Sequence, residues 1–202
     1  MKVRKLEESI AVADDVRSLT KTGAAMSLSE TVRDLAQSLS GKGVKWALCG
    51  GLAVGVHANP RGTSDVDIIL ENDAAIDDVV RLSNSLFKKN RPHAMTNNMT
   101  GVEVEFVTPE HVNVSPGVVS TAIETAKWSL FGGIEIPVVT RSGLVAMKLE
   151  RGSRQDLADI EAVIRSGSVV DVSAYGLSES KMSVLREIEN DVLNIGEKTR
   201  KS

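Results

Sequence analysis

The sequence predicts a mixed α/β domain, a sheet flanked by helices with a helical C-terminal portion. Three observations predict it. Short apolar runs bounded by Gly, Asn and Pro lie in the middle of the chain, at residues 45–49, 65–70, 102–108 and 134–139. Three- and four-residue apolar steps dominate both ends. The chain has 202 residues, 42% hydrophobic and 25% charged, enough for one core burying about 70% of the unfolded surface.

Taken in order, Val3, Leu6, Ile10, Ala13, Val16 and Leu19 predict an amphipathic helix over 3–19, broken by Lys21-Thr22-Gly23. Ser27 with Glu30 reads as a capping box opening a helix over 28–40, which Gly41 and Gly43 end. A buried strand over 45–49 leads into Gly50-Gly51 and a short helix over 52–57. Asn59-Pro60-Arg61-Gly62 is turn chemistry. Residues 65–70 read as a central strand with an acidic start at a rim, because Ile68, Ile69 and Leu70 are apolar on both faces. Ile76, Val79, Val80, Leu82 and Leu86 predict a helix over 74–89, with Lys88, Lys89 and Arg91 as cations at its C-terminus. A strand over 102–108 follows. So does one over 134–139, where Pro137 points to an edge position or a bulge. Helices are expected over 141–151, 154–166 and 179–195, then a frayed tail from Glu197. The division expected is an N-terminal helix (1–24), a core (25–140) and a helical C-terminal subdomain (141–202).

Composition narrows the function. No apolar run approaches 18 residues, so no membrane span is expected. The first fifteen residues turn acidic where a signal peptide needs an apolar stretch, so no secretion signal is expected. The single cysteine, Cys49, reads as a small core residue; it suits a reducing cytoplasm and argues against a cysteine zinc site. With 24 basic and 27 acidic residues, the net charge of −3 offers no global field for long nucleic acid. Two Trp, one Tyr and three Phe are too few for base-stacking platforms.

The chemistry gathers at Asp65-Val66-Asp67. On a strand, alternate side chains share a face, so both carboxylates point the same way, ~6–7 Å apart. Two like charges on one face repel unless something positive lies between them. Upstream, Gly50-Gly51 joins a buried strand to a helix start. Glycine admits close backbone approach, and a helix N-terminus suits phosphate. Alone, either feature reads as a turn or a salt-bridged strand end. Together they describe a nucleotide site, with carboxylates holding the bridging cation. A third acid is expected from Val102-Glu103-Val104-Glu105-Phe106, with Glu105 the one facing the cleft. Three carboxylates can hold two Mg²⁺ ions.

In these features the chain resembles the nucleotidyltransferase superfamily of the DNA polymerase beta type. The resemblance rests on Leu48-Cys49-Gly50-Gly51, the interval 52–64, Asp65-Val66-Asp67-Ile68 and Glu105. It extends through His57, Arg61 and Thr63, then Leu144 to Leu149 with Lys148, and Arg154 to Ile160, which look like the minimal bacterial branch containing AbiEii-type toxins. It spans roughly residues 44–165. It implies a nucleotidyltransferase-type mixed sheet and transfer of a nucleoside monophosphate from an NTP to a hydroxyl, with pyrophosphate as leaving group. The implied acceptors are a tRNA or other RNA end, a partner protein, or a small molecule such as an antibiotic. A toxin role, with a cognate antitoxin as partner, is also implied. So is Mg²⁺ in a two-metal site held by Asp65, Asp67 and Glu105. Gly51 stands where many members have serine, and Glu105 where an aspartate is usual. Those departures motivate the alternative, a weak or inactive nucleotide-binding regulatory protein. A plain interaction module using the terminal helices is the third reading.

By the same resemblance Gly50, Gly51, Arg61 and Lys148 would bind nucleotide, with His57, Thr63 and Asp156 in support. Each has a structural reading as well. Lys148 suits a solvated helix face. Asp156 and Asp159 suit capping from Ser153, pairing with Arg154, or positioning Lys148. His57 suits packing at a helix end, Arg61 a salt bridge to Asp65, and Thr63 a turn cap.

Overall fold

The computed structural model describes residues 3–20, 27–60, 62–167 and 169–199, without the side chains of 3–5, 16–20 and 195–199. Helix α1 (Val3–Thr20) buries Leu6, Ile10 and Ala13. The side chains of Val3, Val16 and Leu19, the break at 21–23 and the tail beyond 199 lie outside what is described. Helix α2 (Leu28–Leu39) starts at Ser27, whose side chain accepts from Glu30 N. Asp14 of α1 takes two further orphan donors, Leu28 N at 2.5 Å and Ser29 N at 3.3 Å. Strand β1 (Trp46–Leu48) runs into α3 (Gly50–His57), so the helix begins on the glycine pair itself. Strand β2 (Asp65–Leu70) and helix α4 (Ala74–Ser83) follow.

Helix α4 is shorter than the apolar steps predict. It ends at Ser83, and the expected last turn is a strand, β3 (Phe87–Arg91), paired with β4 (Ala94–Asn97). Only Phe87 of β3 is buried. Its Lys88, Lys89 and Arg91 are therefore cations on an exposed edge strand, not a helix terminus. Strand β5 (Glu103–Val107) leads into a single turn, α5 (Pro109–Val112), then α6 (Pro116–Glu124), β6 (Lys127–Phe131) and β7 (Ile134–Val138). Thr108-Pro109 and Ser115-Pro116 set proline at the first turn of both helices, where a missing N–H costs nothing. Helices α7 (Arg141–Arg151) and α8 (Arg154–Arg165), a 3-10 turn at Ser173–Tyr175 and the long α9 (Glu179–Thr199) complete the described chain.

The strands form one mixed sheet, β3-β4-β5-β2-β1-β7-β6. Strand β2 is central, as its apolar end predicts, antiparallel to β1 and parallel to β5. Strand β7 is second from the edge rather than at it. Pro137 is tolerated because β1 meets β7 only at Leu48–Val138. No helix is long and apolar enough to cross a membrane among the described residues.

The start of α3 must be held against the sheet, and α1 does that. Ser9 is fully buried and donates to Leu52 O at 2.9 Å. The helices touch at Gly55, where a Cβ would lie 2.0 Å from Ser9 Oγ and 2.8 Å from its Cβ. Gly55→Ala, which elsewhere in a helix gains up to ~1 kcal/mol, is therefore expected to destabilise the protein by about 1–3 kcal/mol through overpacking. Urea unfolding will show it, and adding Ser9→Ala, which removes Oγ but keeps the Cβ at 2.8 Å, should recover only part of the loss.

Candidate functional site

Parallel pairing of β2 with β5 places Asp65 beside Glu103 and Asp67 beside Glu105. Asp65, Asp67 and Glu105 bring one ligand oxygen each to within 4.8 Å of one another. Around them lies a cleft of about 620 Å³. Gly50, Gly51 and Thr63 line its floor with the three acids. One wall is Phe106 to Val107 with His111, Val112 and Asn113. The other is Lys148, Glu150, Arg151, Ser153, Gln155, Asp156 and Asp159.

The glycine pair is required by the acids. Gly50 has φ +56, a left-handed conformation that glycine adopts freely, and a Cβ there would sit 1.7 Å from Asp67 Oδ2. A Cβ on Gly51 would meet Thr63 Oγ1 at 2.7 Å. Gly51 N donates to Asp67 Oδ2 at 3.3 Å, and Thr63 Oγ1 donates to Asp65 Oδ1 at 2.7 Å. Thr63 thus touches a carboxylate of the triad. Asp67 shows the electrostatic cost of the arrangement. Burial first, then the charges of Asp65 and Glu105, push its carboxyl up to about 7, against the Gly51 N–H and the Lys148 charge. Three oxygen ligands with this uncompensated negative charge suit a hard divalent cation, so the residues present fit Mg²⁺.

Lys148 lies at the cleft wall but is not a solvated lysine. Its side chain is 7% exposed, and Nζ donates to Asp156 Oδ1 at 2.9 Å and Asp159 Oδ2 at 2.7 Å. Asp156 also completes a capping box with Ser153. Burial disfavours its charge, but the hydrogen bonds from Ser153 and Lys148, with Arg151 nearby, outweigh that and hold its carboxyl below the usual range. Arg151, one turn beyond Lys148, is half-exposed and makes a looser 3.5 Å contact with Asp156 Oδ2. His57 does not line the cleft. Its Nε2 meets Val139 O at 2.7 Å, and its carbonyl accepts from Arg141 and Ser166, so it ties α3 to the residue after β7, to the start of α7 and to the C-cap of α8. Arg61 lies outside the described residues. Cys49 is buried in the core, where burial, and next Asp67, raise its thiol well above the ordinary value.

Several cleft residues escaped the sequence reading. Arg151 was findable, three residues after Lys148 on one helix face. His111 and Asn113 were announced only by Thr108-Pro109; Asn113 holds φ 53 as the left-handed residue ending that turn. Arg91 lies outside the cleft lining but is bonded to Glu103 and Glu105; the sequence marks it only as one of three cations at an expected helix end, because its pairing partner strand is not visible locally.

Two outcomes follow. Asp67 binds its proton more tightly in the folded chain than in the unfolded one, where its value is near 3.8. Its ionisation therefore removes stability as pH rises from about 4 to about 7. Without metal, Asp67→Asn should raise stability at pH 8 by about 1–2 kcal/mol, the full shift of ~4 kcal/mol being reduced by cleft water. The gain should vanish near pH 4 in thermal melts. Lys148→Met strands two buried carboxylates and should cost about 3–5 kcal/mol at pH 7 in urea unfolding.

No protein-family model and no curated protein sequence matches the chain. Solved structures do. An antigenic nucleotidyltransferase-like protein from Paracoccidioides brasiliensis superposes with TM-score 0.58 at 19% identity, over 84% of this chain and 90% of that one. ANT(2″)-Ia, solved in complex with adenylyl-2″-tobramycin, superposes with TM-score 0.50 at 8% identity, over 81% of this chain and 97% of that one. The mixed sheet and its flanking helices thus have the fold of nucleotidyltransferase-like proteins.

Proposed function

We propose that the cleft is the active centre of a metal-dependent nucleotidyltransferase, which moves a nucleoside monophosphate from an NTP to a hydroxyl acceptor. The observation that carries this is the convergence of Asp65, Asp67 and Glu105 within 4.8 Å beside a glycine-started helix. The likeness to nucleotidyltransferase-like folds supports it.

In this reading the acceptor oxygen forms a bond to the α-phosphorus, the bond to the β-phosphate oxygen breaks, and pyrophosphate leaves. Asp65, Asp67 and Glu105 would hold Mg²⁺, which when bound would supply charge stabilisation and a lowered pKa for the acceptor hydroxyl. Glu105 lies on the outer side of the triad, toward β4, and takes the hydroxyl proton. Gly50 and Gly51 let the phosphates approach the N-terminus of α3, whose dipole favours anions. Gly51 N–H and Thr63 Oγ1 fix the orientation of the two aspartates. Arg151 contacts the triphosphate from the opposite wall, and Lys148, braced by Asp156 and Asp159, adds fixed positive charge.

The acceptor is an RNA end, a partner protein or a small molecule. The first two fit a toxin of a toxin–antitoxin pair. The adenylyl-2″-tobramycin held by ANT(2″)-Ia illustrates the third. The test is incubation with each α-labelled NTP, Mg²⁺ and a lysate split into RNA, protein and small molecules. Label is expected in one fraction, and Asp65→Asn with Asp67→Asn should lower it at least ~10³-fold, about 4 kcal/mol of barrier. Chelation should abolish it reversibly. No label in any fraction, together with no NTP binding by calorimetry, would contradict the reading; NTP binding alone would leave the regulatory alternative.

A further inference from the structure

The third carboxylate of the triad is a glutamate, with one more rotatable bond to order than an aspartate. Its side chain is 34% exposed. Glu103 lies two residues away on the same face, so two adjacent carboxylates would repel and compete for one ion. Something must select Glu105 and hold it.

The neighbouring hairpin supplies that. The pairing of β3 with β4 shifts register between Lys89 and Arg91, a β-bulge that sets Arg91 opposite Ala94, and Ala94 lies opposite Glu105. Bulges re-aim side chains next to active sites. Here the guanidinium Nη2 of Arg91 donates to Glu105 Oε1 at 3.1 Å and also to Glu103 Oε1. Asn90 Nδ2 donates to the second oxygen of Glu103 at 2.8 Å and to Thr96 Oγ1 at 2.9 Å. Both oxygens of Glu103 are therefore engaged away from the triad. With Glu105 Oε1 on Arg91, its Oε2 is left for a cation.

We propose that Arg91 is the positioning residue of the third metal ligand, presenting Glu105 to the cation and withholding Glu103 from it. The inference rests on the triad being a metal centre. It makes a prediction opposite in sign to simple electrostatics. Removing a positive charge beside a cation site should tighten binding, whereas removing the brace of a ligand should weaken it, typically by 10-fold or more.

The test is titration of the full chain with Mn²⁺, followed by the electron paramagnetic resonance signal of the free ion, with thermal melts alongside. Arg91→Gln is expected to bind Mn²⁺ about tenfold more weakly than wild type. Arg91→Lys, which keeps the charge and one bond, should fall between. Glu103→Gln, which breaks the same surface network but leaves Arg91 on Glu105, should stay within about twofold. A merely structural role would move the melting temperature and leave the Mn²⁺ affinities alike. Equal or tighter binding by Arg91→Gln, or an equal loss in Glu103→Gln, would overturn the proposal. If wild type itself binds no Mn²⁺, or Asp65→Asn binds as well as wild type, the metal-centre reading falls first and this one with it.

Discussion

Where β2 lies parallel to β5, four carboxylates cross the sheet in two pairs, Asp65 with Glu103 and Asp67 with Glu105. Neighbouring strands are only about 4.8 Å apart, so this pairing concentrates negative charge at one end of the sheet. Much of the surrounding architecture offsets it. Gly50 and Gly51 remove the side chains that would collide with Asp67 and Thr63. A backbone N–H and a hydroxyl donate to the two aspartates. Arg91 reaches across β4 to the two glutamates. The offset is incomplete, as the raised Asp67 carboxyl shows. Carboxylates whose repulsion is only partly offset suit a hard cation.

The second organising contact is the buried cluster of Lys148 with Asp156 and Asp159. It joins α7 to α8 and sets one wall of the cleft against the sheet. A buried ion pair adds little net stability over an apolar one. Its value here is positional, because it fixes a positive charge near Asp67 without a flexible side chain swinging into the cleft. The half-exposed Arg151 on the same helix has the freedom that Lys148 lacks. One wall thus carries a fixed cation and an adaptable one, an arrangement suited to a charged substrate that enters and a charged product that leaves.

Much of this was legible in the sequence, for physical reasons that differ by element. The central strand was legible because Ile68, Ile69 and Leu70 are apolar on both faces, and only a strand covered on both sides tolerates that. The triad was legible because Asp-x-Asp fixes two carboxylates on one face and Glu105 follows in an alternating strand. The β3–β4 hairpin was not. Its outer strand buries only Phe87, and Lys88, Lys89 and Arg91 mimic the basic end of a helix whose periodicity Leu86 extends in sequence alone. Nothing local distinguishes those two readings; the choice is made by pairing with β4 and β5. With the hairpin went Arg91, since its bulge exists only in that pairing. The turn α5 was missed for its length, a single turn that brings His111 and Asn113 to the cleft. Lys148 was placed at the cleft with Asp156 and Asp159 among its possible partners, but the choice between capping, Arg154 and Lys148 is made only when α7 and α8 pack.

The central claim is that one cleft binds both a divalent cation and an NTP, through the three carboxylates and the glycine-started helix. The most direct measurement is a crystal structure with Mn²⁺ and an NTP analogue that cannot release pyrophosphate, using anomalous scattering to place the ion. The account predicts Mn²⁺ bound by Asp65, Asp67 and Glu105, with the triphosphate between the start of α3 and Arg151. Mn²⁺ or nucleotide bound away from these residues, with the triad empty at saturating concentrations, would contradict it.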